Sequence, residues 1–144
     1  MSKSDATIEV RELYKVFGRF PERYVHAVRN GLSKAELQKT HGHILGLNNI
    51  NITMPAGKIQ VIMGLSGSGK STLIRHINRL IEPTSGSITI DGRNVLKMAE
   101  LELREFRRNY TAMVFQKFAL LRSIIRLIDS KFKKDKHSVI TYII

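Results

Sequence analysis

Apolar and polar residues alternate at the start of the chain. Ile8, Val10 and then Leu13 fall on one side of residues 7–17, the period of a short half-buried strand. The pattern then changes. Pro21 stands where the first residue of a helix belongs, and Asn30-Gly31 supplies the stop. Ser33 and Glu36 have capping-box spacing, with Leu32 and Leu37 at the positions of a hydrophobic staple. Residues 21–41 are therefore expected as two short helices joined by a tight turn and closed at His41-Gly42. Alternation returns after residue 44, where Ile50 and Ile52 interleave with Asn49, Asn51 and Thr53, and Pro55-Ala56-Gly57-Lys58 reads as a turn.

Residues 59–63 form a nearly continuous apolar run, as a strand buried on both faces requires. It leads into Gly64-Leu65-Ser66-Gly67-Ser68-Gly69-Lys70-Ser71, after which Leu73, Ile74, Ile77, Leu80 and Ile81 recur at helical spacing as far as Pro83. Residues 85–90 are expected as a strand closed by an Asp91-Gly92 turn, residues 98–108 as a charged helix, and residues 111–115 as a short buried strand. No internal repeat or low-complexity linker interrupts this order.

The stretch 64–71 satisfies G-x-x-x-x-G-K-[ST]. Glycine at Gly64, Gly67 and Gly69 lets the backbone curl so that successive N–H groups, including those at Ser66 and Ser68, converge on one point. Together with the positive end of the following helix they suit the α- and β-phosphates of a nucleotide. Lys70 would reach the β- and γ-phosphates, the Ser71 hydroxyl would ligate magnesium, and Thr72 would add a contact near the α-phosphate. A glycine-rich loop that holds a lysine by chance would lack the flanking strand and amphipathic helix. The expected ligand is a nucleoside triphosphate.

Composition narrows the surroundings of that site. The 144 residues, 42% of them hydrophobic, suffice for one compact domain. The lack of cysteine excludes disulfides, zinc–thiolate sites and cysteine nucleophiles. No apolar run approaches the ~18 residues of a membrane span, and the first residues show no signal-peptide pattern, so a cytosolic protein is expected. The charge is +12, from 24 Lys and Arg against 12 Asp and Glu. Arg122, Arg126, Lys131, Lys133, Lys134 and Lys136, against Asp129 and Asp135, concentrate part of it in residues 122–144. The rest is dispersed, no nucleic-acid recognition motif occurs, and no nucleic-acid partner is expected. His26, His41, His43, His76 and His137 show no metal-ligand spacing with a carboxylate. Tyr14, Phe17, Phe20 and Tyr24 form an aromatic cluster whose spacing suits a core and leaves base stacking open.

Several blocks taken together resemble one family. They are the phosphate loop with Thr72, the run Asn78-Arg79-Leu80-Ile81-Glu82-Pro83-Thr84-Ser85-Gly86, then Asp91-Gly92, and Arg107-Arg108 followed by Met113-Val114-Phe115-Gln116. The chain is similar to ABC-transporter ATPase domains. The expected fold class is α/β, the N-terminal portion of a P-loop NTPase with a small antiparallel β subdomain and a helical insertion, and incomplete. The insertion at 18–43 with Gly31-Leu32-Ser33-Lys34, residues 61–66, and the run 115–121 resemble the ATP-binding subunits of glycine betaine/proline betaine (quaternary amine) importers. The resemblance implies ATP and Mg²⁺ as cofactors, Phe17 as the aromatic stacked on adenine, and Gln116 as a magnesium- and water-facing catalytic residue beside Lys70. It also implies a place on the inner face of the plasma membrane, an integral membrane permease, a second ATP-binding subunit and, indirectly, a periplasmic or lipid-anchored substrate-binding protein as partners.

The resemblance covers residues 7–121. Residues 122–144 depart from it and are expected as an unrelated basic and apolar tail, of frameshift or insertion origin, in which residues 138–144 would promote aggregation. The family's Ser-Gly-Gly signature, its Asp-Glu strand and its switch histidine have no counterpart; Asp129 is a weak stand-in for the magnesium carboxylate, and His137 lacks the context of the switch. The expected function is thus an importer ATPase subunit in truncated form. The alternatives are a nucleotide-binding module or decoy that never hydrolyses, a self-contained P-loop kinase or GTPase using Asp129, and a basic nucleic-acid binder. For the GTPase the base-reading Asn-Lys-x-Asp motif does not occur.

Overall fold

A computed structural model describes residues 8–56, 60–114 and 139–142. Strand β1 (Ile8–Phe17) runs through the middle of an antiparallel sheet, with β2 (Ile44–Met54) on one side and β3 (Ser85–Ile90) on the other. A short β4 (Arg93–Asn94) adds to β3, giving the order β2-β1-β3-β4. Asp91 and Gly92 both take positive φ (50° and 74°), the primed-turn geometry that joins β3 and β4 tightly.

The alternation in β1 holds for its first half only. At Glu12, where φ is 45°, the strand bulges and its register with both neighbours shifts. Asn51 Oδ1 accepts the displaced Glu12 N–H at 2.9 Å. Ile8, Val10 and Leu13 therefore face one core, while Tyr14 and Val16 face a second on the opposite side of the sheet. The first core packs the sheet against α3 (Lys70–Ile77) and α4 (Glu100–Tyr110) through Leu73, Ile77, Leu103 and Phe106. Phe106 is a large, fully buried side chain there. Phe106→Ala should lower unfolding stability by about 3–5 kcal/mol in a denaturant titration.

The second core belongs to the insertion. Helices α1 (Glu22–Arg29) and α2 (Lys34–His41) place Val25, Val28 and Leu37 on Tyr14, Val16 and Leu45. The expected caps are present. Ser33 Oγ accepts from the Glu36 N–H at 3.2 Å, and Glu36 Oε2 accepts from the Ser33 N–H at 3.1 Å and hydroxyl at 2.7 Å. Leu32 and Leu37 pack in the same cluster, and Gly42 closes α2 in the left-handed region. The His43 ring holds both ends of the insertion, with Nδ1 2.6 Å from the His41 carbonyl oxygen and Nε2 2.9 Å from that of Arg19.

Two elements differ from expectation. Helix α3 stops at Ile77 rather than running toward Pro83; Arg79 takes φ 48° and Leu80 is half exposed. Tertiary hydrogen bonds override the helical period there. The Arg79 guanidinium donates to the Val95 and Met98 carbonyls and to Glu82, while Arg107 donates to the Asn78 and Arg79 carbonyls. The apolar run before the phosphate loop is not a strand over residues 60–63, and Val61 and Met63 are 70% and 86% exposed. Among the described residues no strand runs beside it, so its backbone has no ladder to join. Helix α4 leads into β5 (Thr111–Val114), which pairs in parallel with β6 (Val139–Tyr142) as a separate two-stranded sheet. Among the described residues no helix is long and apolar enough to cross a membrane.

His76 on α3 is fully buried; its Nδ1 lies 2.6 Å from the Thr72 carbonyl oxygen, and Nε2 has no described partner. Burial holds the imidazole below its ordinary pKa, Lys15 pushes the same way, and the Thr72 carbonyl opposes them. The folded chain therefore binds this proton less readily than the unfolded chain. Its contribution to stability is complete above the ordinary histidine value and shrinks as pH falls below it. The melting temperature should drop as pH is lowered from 7 to 5, and His76→Leu should flatten that slope.

Candidate functional site

The phosphate loop connects residue 64 to α3, which starts at Lys70. Gly69 caps the helix with φ 94°, and a Cβ there would sit 2.7 Å from the Gly46 carbonyl oxygen. Only glycine lets the loop press this closely onto β2. Lys70 Nζ donates to the Gly64 and Leu65 carbonyls at 2.6 and 2.8 Å, and Ser68 Oγ lies 3.5 Å away. The loop is tightened further by the Ser68 N–H, which donates to the Leu65 carbonyl at 3.2 Å. The lysine is thus folded over the loop, with its charge held at the mouth of the helix. The first-turn N–H groups of α3 have no intrahelical acceptor and carry the positive end of its dipole.

A cavity of about 230 Å³ opens at this helix start, lined by Phe17, Lys34, Ile44, Leu45, Gly46 and residues 67–72. Among the described residues its lining includes Lys34, Lys70, Ser68, Ser71 and Thr72, and no Asp or Glu. Phe17 forms a wall at the end of β1. Its ring edge closes on Gly46, where a Cβ would come within 2.6 Å of it, and the Lys15 ammonium stands 5.1 Å from its centroid. Phe17 is 37% exposed. The other aromatics separate from it. Tyr14 is buried in the second core with Tyr24 packed against it, and Phe20 lies exposed between the guanidinium groups of Arg19 and Arg23.

The structure thus brings Phe17, Gly67, Ser68, Gly69, Lys70, Ser71 and Thr72 around one cavity, with Gly64 beneath Lys70; Ser66 lies in the loop but not on the cavity wall. Gln116, residues 118–121, Asp129 and His137 lie outside the described residues. The donor set fits a polyphosphate: two lysines, the hydroxyl residues Ser68, Ser71 and Thr72, a helix N-terminus and a floor that only glycine permits. For a divalent cation the cavity wall offers Ser71 Oγ, and among the described residues no group of three or more His, Asp or Glu side chains gathers. Such an ion would come with the phosphates and keep most of its other ligands from them and from water. Sequence reasoning missed Gly46 and Lys34. A glycine inside a strand pattern signals close backbone approach, so Gly46 was open to detection; nothing near Lys34 in sequence marks it.

A family model described as ABC transporter matches residues 47–141. The chain belongs to the ABC transporter family. Its glycine betaine/proline betaine transport system ATP-binding relative ProV from Salmonella typhimurium is 47% identical over 125 residues, covering 87% of this chain and 31% of the relative. The glycine betaine transport ATP-binding protein OpuAA of Bacillus subtilis is 50% identical over 113 residues, covering 78% of this chain and 27% of OpuAA. The ABC transporter chain therefore spans less than a third of the length of these relatives. The likeness to ProV is longer than the family match, so it reaches beyond residues 47–141. Among solved structures, the dimeric ATP-binding cassette MJ0796 bound to ADP and Pi is similar with a TM-score of 0.58 and 28% identity, over 79% of this chain and 40% of that one. The N-terminal portion of a P-loop NTPase, with its antiparallel sheet, is the fold these cassettes share with this chain.

Proposed function

We propose that this chain supplies the nucleotide-binding part of an ABC importer subunit that takes up quaternary amines such as glycine betaine and proline betaine. The observation that carries the reading is the cavity between Phe17 and the phosphate loop, whose described lining is cationic and holds no carboxylate. Phe17 offers a partly exposed ring for the adenine of ATP. Gly64, Ser66, Gly67, Ser68 and Gly69 shape the backbone donors, and Lys70 places its charge against the β- and γ-phosphates. Thr72 faces the α-phosphate. Ser71 would give a magnesium ion its hydroxyl ligand, and Gln116 would be a second residue to hold it. The ion itself, when bound, neutralises phosphate charge. The printed names of ProV and OpuAA support the betaine branch. With that branch go a membrane permease, a second ATP-binding subunit, a substrate-binding protein acting through the permease, and a position on the cytoplasmic membrane face.

A second reading, binding without hydrolysis, is favoured by the cavity wall, which carries no carboxylate among the described residues. Both readings require ATP to bind. Calorimetric titration of the purified chain with ATP should give one saturable site, competed by ADP; absence of saturable heat at millimolar ATP overturns both.

A further inference from the structure

Lys34 belongs to the helical insertion, far from the phosphate loop in sequence, yet it lines the cavity beside Phe17 and residues 67–72. It also lines a neighbouring cavity of about 440 Å³, which meets the first along Gly67 and Ser68. Its backbone is firmly placed. Lys34 is the first residue of α2, immediately after the Ser33–Glu36 capping box, and Leu37 anchors the same turn in the second core. His43 fastens the end of the insertion to Arg19. The stem of Lys34 therefore starts from a fixed point on the cavity rim.

Its charge is also uncommitted. Lys70 is bonded to the loop carbonyls, whereas among the described residues no hydrogen bond or ion pair engages the exposed Lys34 ammonium. A cation with no partner among the described residues, on a cavity wall whose described residues carry no carboxylate, is matched by an anionic ligand. We infer that Lys34 is a second cationic contact to the polyphosphate of the bound nucleotide, supplied by the insertion. The inference rests on the proposed nucleotide site and adds a role for residues 18–43. The insertion is a wall of the nucleotide site as well as a cover for the sheet.

The test is titration of the full chain with ATP, ADP and adenosine, for wild type and for Lys34→Ala, Lys34→Glu, Lys39→Ala and Lys70→Ala. Lys34→Ala should weaken ATP binding about 3-fold, as an exposed ion pair allows. Lys34→Glu should weaken it about 10-fold by setting like charges together, with both effects shrinking at high salt. An acidic residue in the first turn suits the α2 dipole, so Lys34→Glu should keep the wild-type melting temperature. Lys39, exposed at the other end of α2 and absent from both cavity walls, should be silent when changed to alanine. Adenosine binding should be equal in wild type and all Lys34 variants. If Lys70→Ala weakens ATP while both Lys34 variants bind as wild type, the role of Lys34 is overturned and the nucleotide site stands. If wild type binds no ATP, or Lys34→Ala weakens adenosine as much as ATP, the inference falls; the first outcome also removes the proposed function.

Discussion

Phosphate release from ATP by these 144 residues alone should run at least about 100-fold below the order of 1 per second expected of a working transporter ATPase. Phosphoryl transfer needs the γ-phosphate neutralised, magnesium held from two sides and a water aligned with the breaking bond. The site supplies part of this. In the proposed site residues 64–71 would give the cradle, Lys70 the charge and Ser71 one hydroxyl, but among the described residues the cavity wall carries no carboxylate to hold the metal's far side or to take a proton from water. Asp129 is the weak sequence candidate for that role, and it lies outside the described residues. Losing a positioned base alone lowers rates by about 10²–10⁴-fold. A phosphate-release assay on purified chain, with Lys70→Ala as the control for contaminating ATPase, reads this directly. Turnover near the transporter rate that vanishes in the control would show that a carboxylate elsewhere in the chain completes the site.

What could be read from the sequence follows the range of the interactions involved. The capping box at Ser33 and Glu36, the staple of Leu32 with Leu37 and the turn at Asp91-Gly92 are contacts between residues a few positions apart, and each is where the spacing placed it. The glycine-rich loop before α3 is local in the same way, one continuous stretch of residues 64–69. The bulge at Glu12 was not, because it answers to Asn51 and to two neighbouring strands. The end of α3 was misjudged because Arg79 and Arg107 tie it to the Val95–Lys97 turn and α4. An apolar run such as residues 60–63 specifies burial, but a strand exists only where a neighbour shares its ladder. The site divides along the same line. Phe17 came from resemblance, while Gly46 and Lys34 enter the cavity from β2 and α2 and carry no local mark of it.

The affinity of ATP for wild type against Lys70→Ala tests the central claim, that residues 64–72 form a nucleotide site. Lys70 Nζ sits within hydrogen-bond reach of the Gly64 and Leu65 carbonyls, which hold its charge over the start of α3 where the phosphates would lie. A charge-assisted contact to phosphate is stronger than a neutral one, and among the described residues of the cavity wall Lys34 is the one other cation. Calorimetry at constant ionic strength should show the alanine variant binding ATP at least about 10-fold more weakly, about 1.4 kcal/mol, with an unchanged melting temperature in the absence of nucleotide. Equal affinities in the two proteins would contradict the account.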